Sequence, residues 1–229
     1  MITFILPASA QAVCYTSKPT INVDIKIDKT KYDYTYTAEE ITRRYNRSSG
    51  NSSKQVAFGL YNDNFTLFTG PLNYIVKEKK YSQSHDSCVK LNDMSVTISL
   101  KPVIYVSKQA FENDGDDCFK DIKKHEEGHD AVARGLILKY KKIARDAILK
   151  ELSVRTRSEL AKSNDIRETK RAYNQVIVQA YKKITDQYVQ EAEKAQAKYH
   201  ATESGGTSIC GFLLWSAKQG FSDTPSENR

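Results

Sequence analysis

The chain has 229 residues, of which 39% are hydrophobic and 28% charged, and a net charge of +7. Such a length and balance describe one large or two small globular domains and exclude a disordered or fibrous chain, and no apolar run is long enough to span a membrane. The four cysteines contain no C-x-x-C pair, which excludes a cysteine zinc knuckle and fits two disulfides formed in an oxidising compartment.

Residues 1–12 read as the end of a signal peptide. The apolar stretch Ile2–Leu6 is followed by small residues at Ala8, Ser9, Ala10 and Ala12, so an exported protein, secreted or periplasmic, is expected. From Thr20 to Tyr36 apolar residues alternate (Ile21, Val23, Ile25 and Ile27, then Tyr32, Tyr34 and Tyr36), the period-two pattern of half-buried strands. Thr37-Ala38-Glu39-Glu40 is a capping box that opens a short helix to about Tyr45. Residues 48–53 form a loop by composition, and strands return at 56–61, 65–68, 74–81 and 95–106, the last interrupted by Pro102. A small, mainly antiparallel sheet with one short helix is predicted over 13–115.

The pattern changes after Gly115. Asp116 or Asp117 can cap a helix, and no proline or strand-like alternation follows until past Gly205. Ile122, Val132, Leu136, Tyr140, Ile143 and Ala147 recur at three and four residues, and His125 and His129 fall in the same stripe. A second stripe, from Ile177 through Ala180, Ile184, Tyr188 and Ala195 to Tyr199, marks another long helix. Ser163-Asn164-Asp165 supplies the turn between them. Residues 116–206 are therefore expected to form a long antiparallel helical hairpin, giving an α+β fold, with a tail over 207–229 that docks in part. Between 120 and 200 there are 19 Lys/Arg against 12 Asp/Glu, which places the whole surplus of +7 on these helices. Interspersed as these charges are, they read first as a solvated face and second as a surface for a polyanion; nucleic acid is not favoured.

His125-Glu126-Glu127-Gly128-His129 fits the H-E-x-x-H zinc pattern. Two imidazoles one helical turn apart face the same way, and the glutamate beside the first can take a proton from water at the metal. The midpoint between His129 and His200 falls between residues 164 and 165, inside the expected turn. A hairpin folded there returns His200 or Glu203 to the motif, and either residue type can complete a three-ligand Zn²⁺ site. Glu151 is a weaker third ligand, because on an unbroken helix it lies about 33 Å from His129. The metzincin pattern fails at Val132 and Gly135, where glycine and histidine are required. Asp130 is a candidate to orient an imidazole and Tyr199 a candidate to hydrogen-bond an oxyanion. For the cysteines, Cys88–Cys118 and Cys14–Cys210 are the pairings preferred among three.

These features together resemble a family of bacterial secreted zinc-dependent proteases catalogued as a domain of unknown function. Tyr32–Tyr36 stands for its tyrosine-rich β segment, Cys88 with Met94–Leu100 for its cysteine and strand, Lys124–Asp130 for its H-E-x-G-H helix, and Tyr199–Gly206 for the end of its second helix. In the last of these His200 stands where the family has aspartate, and Gly205 where it has histidine. The resemblance implies a zinc-dependent peptidase. The expectation from the residues is an exported metallohydrolase with His125, His129 and His200 on Zn²⁺, Glu126 as general base, and a peptide or protein as substrate. The rival expectation is an exported binding protein with a structural or vestigial zinc site and a basic helical docking surface.

Overall fold

The computed structural model describes residues 18–49, 56–78, 87–113, 115–155 and 165–202. The expected leader over 1–12, the tail from 207, Glu203, Cys14 and Cys210 lie outside them, as does the Cys88 side chain, so neither cysteine pairing is placed. Cys118 is buried and disulfide-bonded.

The fold is α+β, but its strands make two three-stranded sheets rather than one. The first has the order β1 (Thr20–Ile27), β5 (Ser87–Leu100), β4 (Thr66–Glu78). Alternation sets its faces: Ile21 and Val23 are buried between exposed Thr20, Asn22 and Asp24, and Met94, Val96, Ile98 and Leu100 are buried along β5. The second has the order β2 (Lys31–Asp33), β6 (Val103–Val106), β3 (Gly59–Asn62). Here β2 runs parallel to β6, with Lys31 opposite Val103 and Asp33 opposite Tyr105, while β3 runs antiparallel, with Gly59 opposite Val106. The expectation of a mainly antiparallel sheet is corrected for this mixed one. Pro102, lacking an N–H, separates β5 from β6, and its carbonyl accepts from Lys31 N at 3.0 Å.

The tyrosine-rich strand is shorter than its alternation predicts. Asp33 Oδ1 accepts from Thr35 N at 3.0 Å and from Thr35 Oγ1 at 2.6 Å, a local turn that ends β2 at Asp33. The capping box forms as expected: Thr37 N donates to Glu40 Oε2 at 2.8 Å and Glu40 N to Thr37 Oγ1 at 3.3 Å. The helix that it opens, α1, extends to Ser49 (Ala38–Ser49), four residues beyond the expected end. A one-and-a-half-turn helix, α2 (Lys108–Asn113), is unanticipated; buried Ser107 caps it through Oγ to Ala110 N at 3.2 Å.

The helical half comprises α3 (Gly115–Ile137), α4 (Tyr140–Arg155) and α5 (Ile166–Thr202). Asp165 caps α5, its Oδ1 accepting from Arg167 N at 2.7 Å. The first rod is not continuous. It breaks at 138–139, where Lys139 N donates to Leu136 O at 3.2 Å, just after Gly135. A Cβ at Gly135 would meet nothing within 4 Å, so packing does not require glycine there. Glycine inside a helix costs backbone entropy, and Gly135→Ala is expected to stabilise the protein by about 0.5–1 kcal/mol in urea unfolding. A destabilised variant would show that the break needs the glycine.

The chain divides into two compact units, one drawing on residues up to Ile25, Leu67–Ile98 and Tyr140–Gln187, the other on Lys26–Thr66, Ser99–Lys139 and residues from Tyr188. Each combines strands from before residue 115 with helix from after it. In the first, Thr69 Oγ1 donates to the Tyr181 hydroxyl at 2.8 Å, the Tyr74 and Tyr173 rings lie 5.7 Å apart, and Lys183 Nζ meets Glu151 Oε1 at 2.5 Å. In the second, Ile104 and Val106 of β6 are buried with Ile122 of α3, Ala38 of α1, Ala110 of α2 and Phe58. Among the described residues no helix is long and apolar enough to cross a membrane.

Candidate metal centre

Helical spacing dictates the first two members of the site. His125 and His129 stand one turn apart on α3, with Nε2 of one 3.1 Å from Nε2 of the other and ring centroids 4.7 Å apart. The end of α5 brings the third. The His200 ring lies 5.1 Å from that of His125 and 4.6 Å from that of His129, so the three imidazoles form a nearly equilateral triangle. One nitrogen from each falls within 4.8 Å of the others, close enough to bind one metal ion.

Three imidazoles are a donor set that divalent transition metals, zinc among them, accept. Tetrahedral Zn²⁺ with imidazole bonds of 2.0–2.1 Å separates its ligand atoms by roughly 3.3 Å, and the His125–His129 pair stands at 3.1 Å. Exposure rises across the cluster from buried His129 through half-buried His125 to exposed His200, so solvent reaches the site on the His200 side. Glu151 takes no part: it is 9% exposed and engaged by Lys183.

Glu126 is 7% exposed. It neighbours His125 in sequence and shares a helix face with His129, three residues on. Its carboxylate lies against the backbone of β3, where a Cβ at Gly59 would stand 2.5 Å from Glu126 Oε1 and 2.8 Å from Ile122 Cγ2. Gly59 thus makes room for the Glu126 side chain, and nothing in its sequence surroundings marks it.

Asp130 does not orient an imidazole, contrary to expectation. Its Oδ2 accepts from Thr30 Oγ1 at 2.5 Å and Arg134 Nε at 2.9 Å, and the Tyr61 hydroxyl donates to Oδ1 at 3.4 Å. Arg134 also donates to Asp28 O at 3.0 Å and Thr30 Oγ1 at 2.8 Å. The network ties α3 to the segment before β2 and to β3. Burial, with Asp130 adding to it, pushes the Tyr61 phenol well above its ordinary range, so Tyr61 stays neutral where its ring lies parallel to His129, 6.4 Å away. On β2, partial desolvation and the hydrogen bond to Glu127 push the Tyr32 phenol up to about 12.

Tyr199 also departs from its expected role. Its hydroxyl donates to the main-chain oxygen of His125 at 3.2 Å, which docks the end of α5 on α3 and commits the hydrogen an oxyanion would need. Gly128 makes this approach possible, since a Cβ there would fall on the Tyr199 hydroxyl and ring. Gly128→Ala is expected to cost about 1–3 kcal/mol by overpacking and to weaken metal binding by moving His200 away. Urea unfolding and chelator competition measure the two effects, and adding Tyr199→Ala should cancel most of the steric part. Unchanged metal affinity in Gly128→Ala would sink the argument.

His129 is also held by Gln196, which carries no signal in the sequence because a glutamine on a polar helix belongs to no motif. Its Oε1 lies 2.5 Å from His129 Nδ1, and its Nε2 donates to the His129 main-chain oxygen at 3.1 Å. As Gln196 meets His129 and Tyr199 meets His125, rising numbers on α5 pair with falling numbers on α3, so these segments run antiparallel. Compared with known proteins, the chain matches no family model, no curated protein and no solved structure.

Proposed function

We propose that the protein is an exported zinc-dependent metallohydrolase acting on peptide bonds, with His125, His129 and His200 as the metal ligands and Glu126 as the general base. The observation that carries this reading is the meeting of three imidazoles from two helices, with Glu126 next to His125 in the chain and buried. Held by these three histidines, zinc would supply Lewis acidity toward a carbonyl and toward water. Glu126 takes the proton of the attacking water on its carboxylate and passes it to the leaving amine. The exposed side of the cluster at His200 is the route for a peptide. Asp130 and Arg134 hold α3 in place, and Tyr199 holds the returning helix against it.

The reading carries three further parts. A helical hairpin is supported within each unit by itself, by Lys183 of α5 meeting Glu151 of α4 in one and by Gln196 of α5 meeting His129 of α3 in the other. The chain is akin to the secreted zinc-dependent proteases that it resembles, on the strength of the H-E-x-G-H helix. Export is supported by the disulfide at buried Cys118.

Metal analysis of the full-length protein and a broad peptide library test the proposal together. One zinc per chain, with cleavage that a chelator abolishes and zinc restores, is the expected result. Zinc retained without any cleavage would instead assign a structural site on a docking protein, for which the basic residues exposed along α5, Lys194 and Lys198 near its end among them, are the charges a polyanion would meet.

A further inference from the structure

Gln196 stands one turn before His200 on α5 and engages His129 with both ends of its amide. The main-chain oxygen of His129 can only accept, so the amide nitrogen must face it and the amide cannot be turned over. That leaves Oε1 beside Nδ1 of the ring at 2.5 Å. An amide oxygen also only accepts, so Nδ1 must carry the hydrogen. In a neutral imidazole the lone pair is then on Nε2, the atom that lies 3.1 Å from Nε2 of His125. A glutamine anchored to the main chain of a histidine thus determines which nitrogen of that histidine can bind a metal. The hydroxyls that flank the ring are committed elsewhere, Tyr61 to Asp130 and Tyr199 to the His125 carbonyl.

We propose that Gln196 is a positioning residue that locks His129 in the Nδ1–H tautomer and aims its Nε2 into the metal centre. The proposal rests on the metal-centre reading and adds to it a residue that is not a ligand. Because the acceptor is a neutral amide and not a carboxylate, it orients the ring without adding negative charge to the site. Partners of this kind typically change metal affinity by roughly 10–100-fold when removed.

Gln196→Met keeps length and volume while deleting both hydrogen bonds. In the zinc-free full-length protein, nitrogen NMR of the wild type should show His129 protonated at Nδ1, and Gln196→Met should move that hydrogen to Nε2. Gln196→Glu, which keeps the acceptor, should restore the Nδ1–H form. Competition with a chromophoric chelator should show zinc bound roughly 10–100-fold more weakly by Gln196→Met, with thermal unfolding of the zinc-free variant near that of the wild type. Wild-type affinity in Gln196→Met, or an Nε2–H tautomer in the wild type, would overturn the assignment. A wild type that carries the Nδ1–H form and binds no zinc would defeat the metal-centre reading while supporting the tautomer lock.

Discussion

Replacing Glu126 with glutamine is expected to leave zinc on the three histidines and to lower peptide hydrolysis by roughly 10²–10⁴-fold, the range that a positioned general base contributes. The side chain is 7% exposed and packed against Gly59 and Ile122, so a smaller residue would leave a void and confuse loss of the base with loss of packing. Glutamine has the same shape and can still hydrogen-bond, but it cannot accept the proton. It also lies outside the three-histidine cluster, so bound metal should remain. Zinc per chain and kcat measured on the same preparations decide the matter. Hydrolysis that survives the substitution removes Glu126 from the mechanism, and zinc lost with it shows that the carboxylate shapes the metal site.

Asp130→Ala should be the most destabilising of the single substitutions considered, by about 2–3 kcal/mol, because it removes the acceptor at the centre of a part-buried network and the partner of the Arg134 charge. The Asp130 side chain is 11% exposed and that of Arg134 33%, and the carboxylate also serves the hydroxyls of Thr30 and Tyr61. Alanine therefore removes an acceptor that one cation and two hydroxyls share. Urea unfolding of the zinc-free protein reads the loss directly. In an Arg134→Met background the same substitution should cost clearly less, since the Arg134 charge is gone; equal losses in both backgrounds would mean that the pair is not coupled.

The local rules of the chain were legible without coordinates wherever the interaction partners are a few residues apart. The capping box at Thr37 and Glu40 spans three residues, and both of its hydrogen bonds are present. Asp165 caps α5 through its own side chain. The period-two burial of Ile21 and Val23, and the stripe of Ile177, Ala180, Ile184 and Tyr188, follow from strand and helix geometry alone. Where a local contact competes with periodicity, the pattern misleads: the tyrosine alternation runs to Tyr36, yet Asp33 turns the chain after three residues. The first rod likewise reads as continuous through Gly135, and the chain breaks just after it.

By itself the sequence determined that His125 and His129 share a helix face, because 3.6 residues per turn requires it. Counting positions about a turn narrowed the third member to His200 or Glu203. What sequence could not contain is which groups meet across 60 to 130 residues of intervening chain. The parallel pairing of β2 with β6, the place of Gly59 against Glu126 and of Gly128 against Tyr199, and the grip of Gln196 on His129 all exist only once the elements pack. Glycine and glutamine carry no periodicity and no motif; their meaning lies in what approaches them, and only close packing in three dimensions decides that.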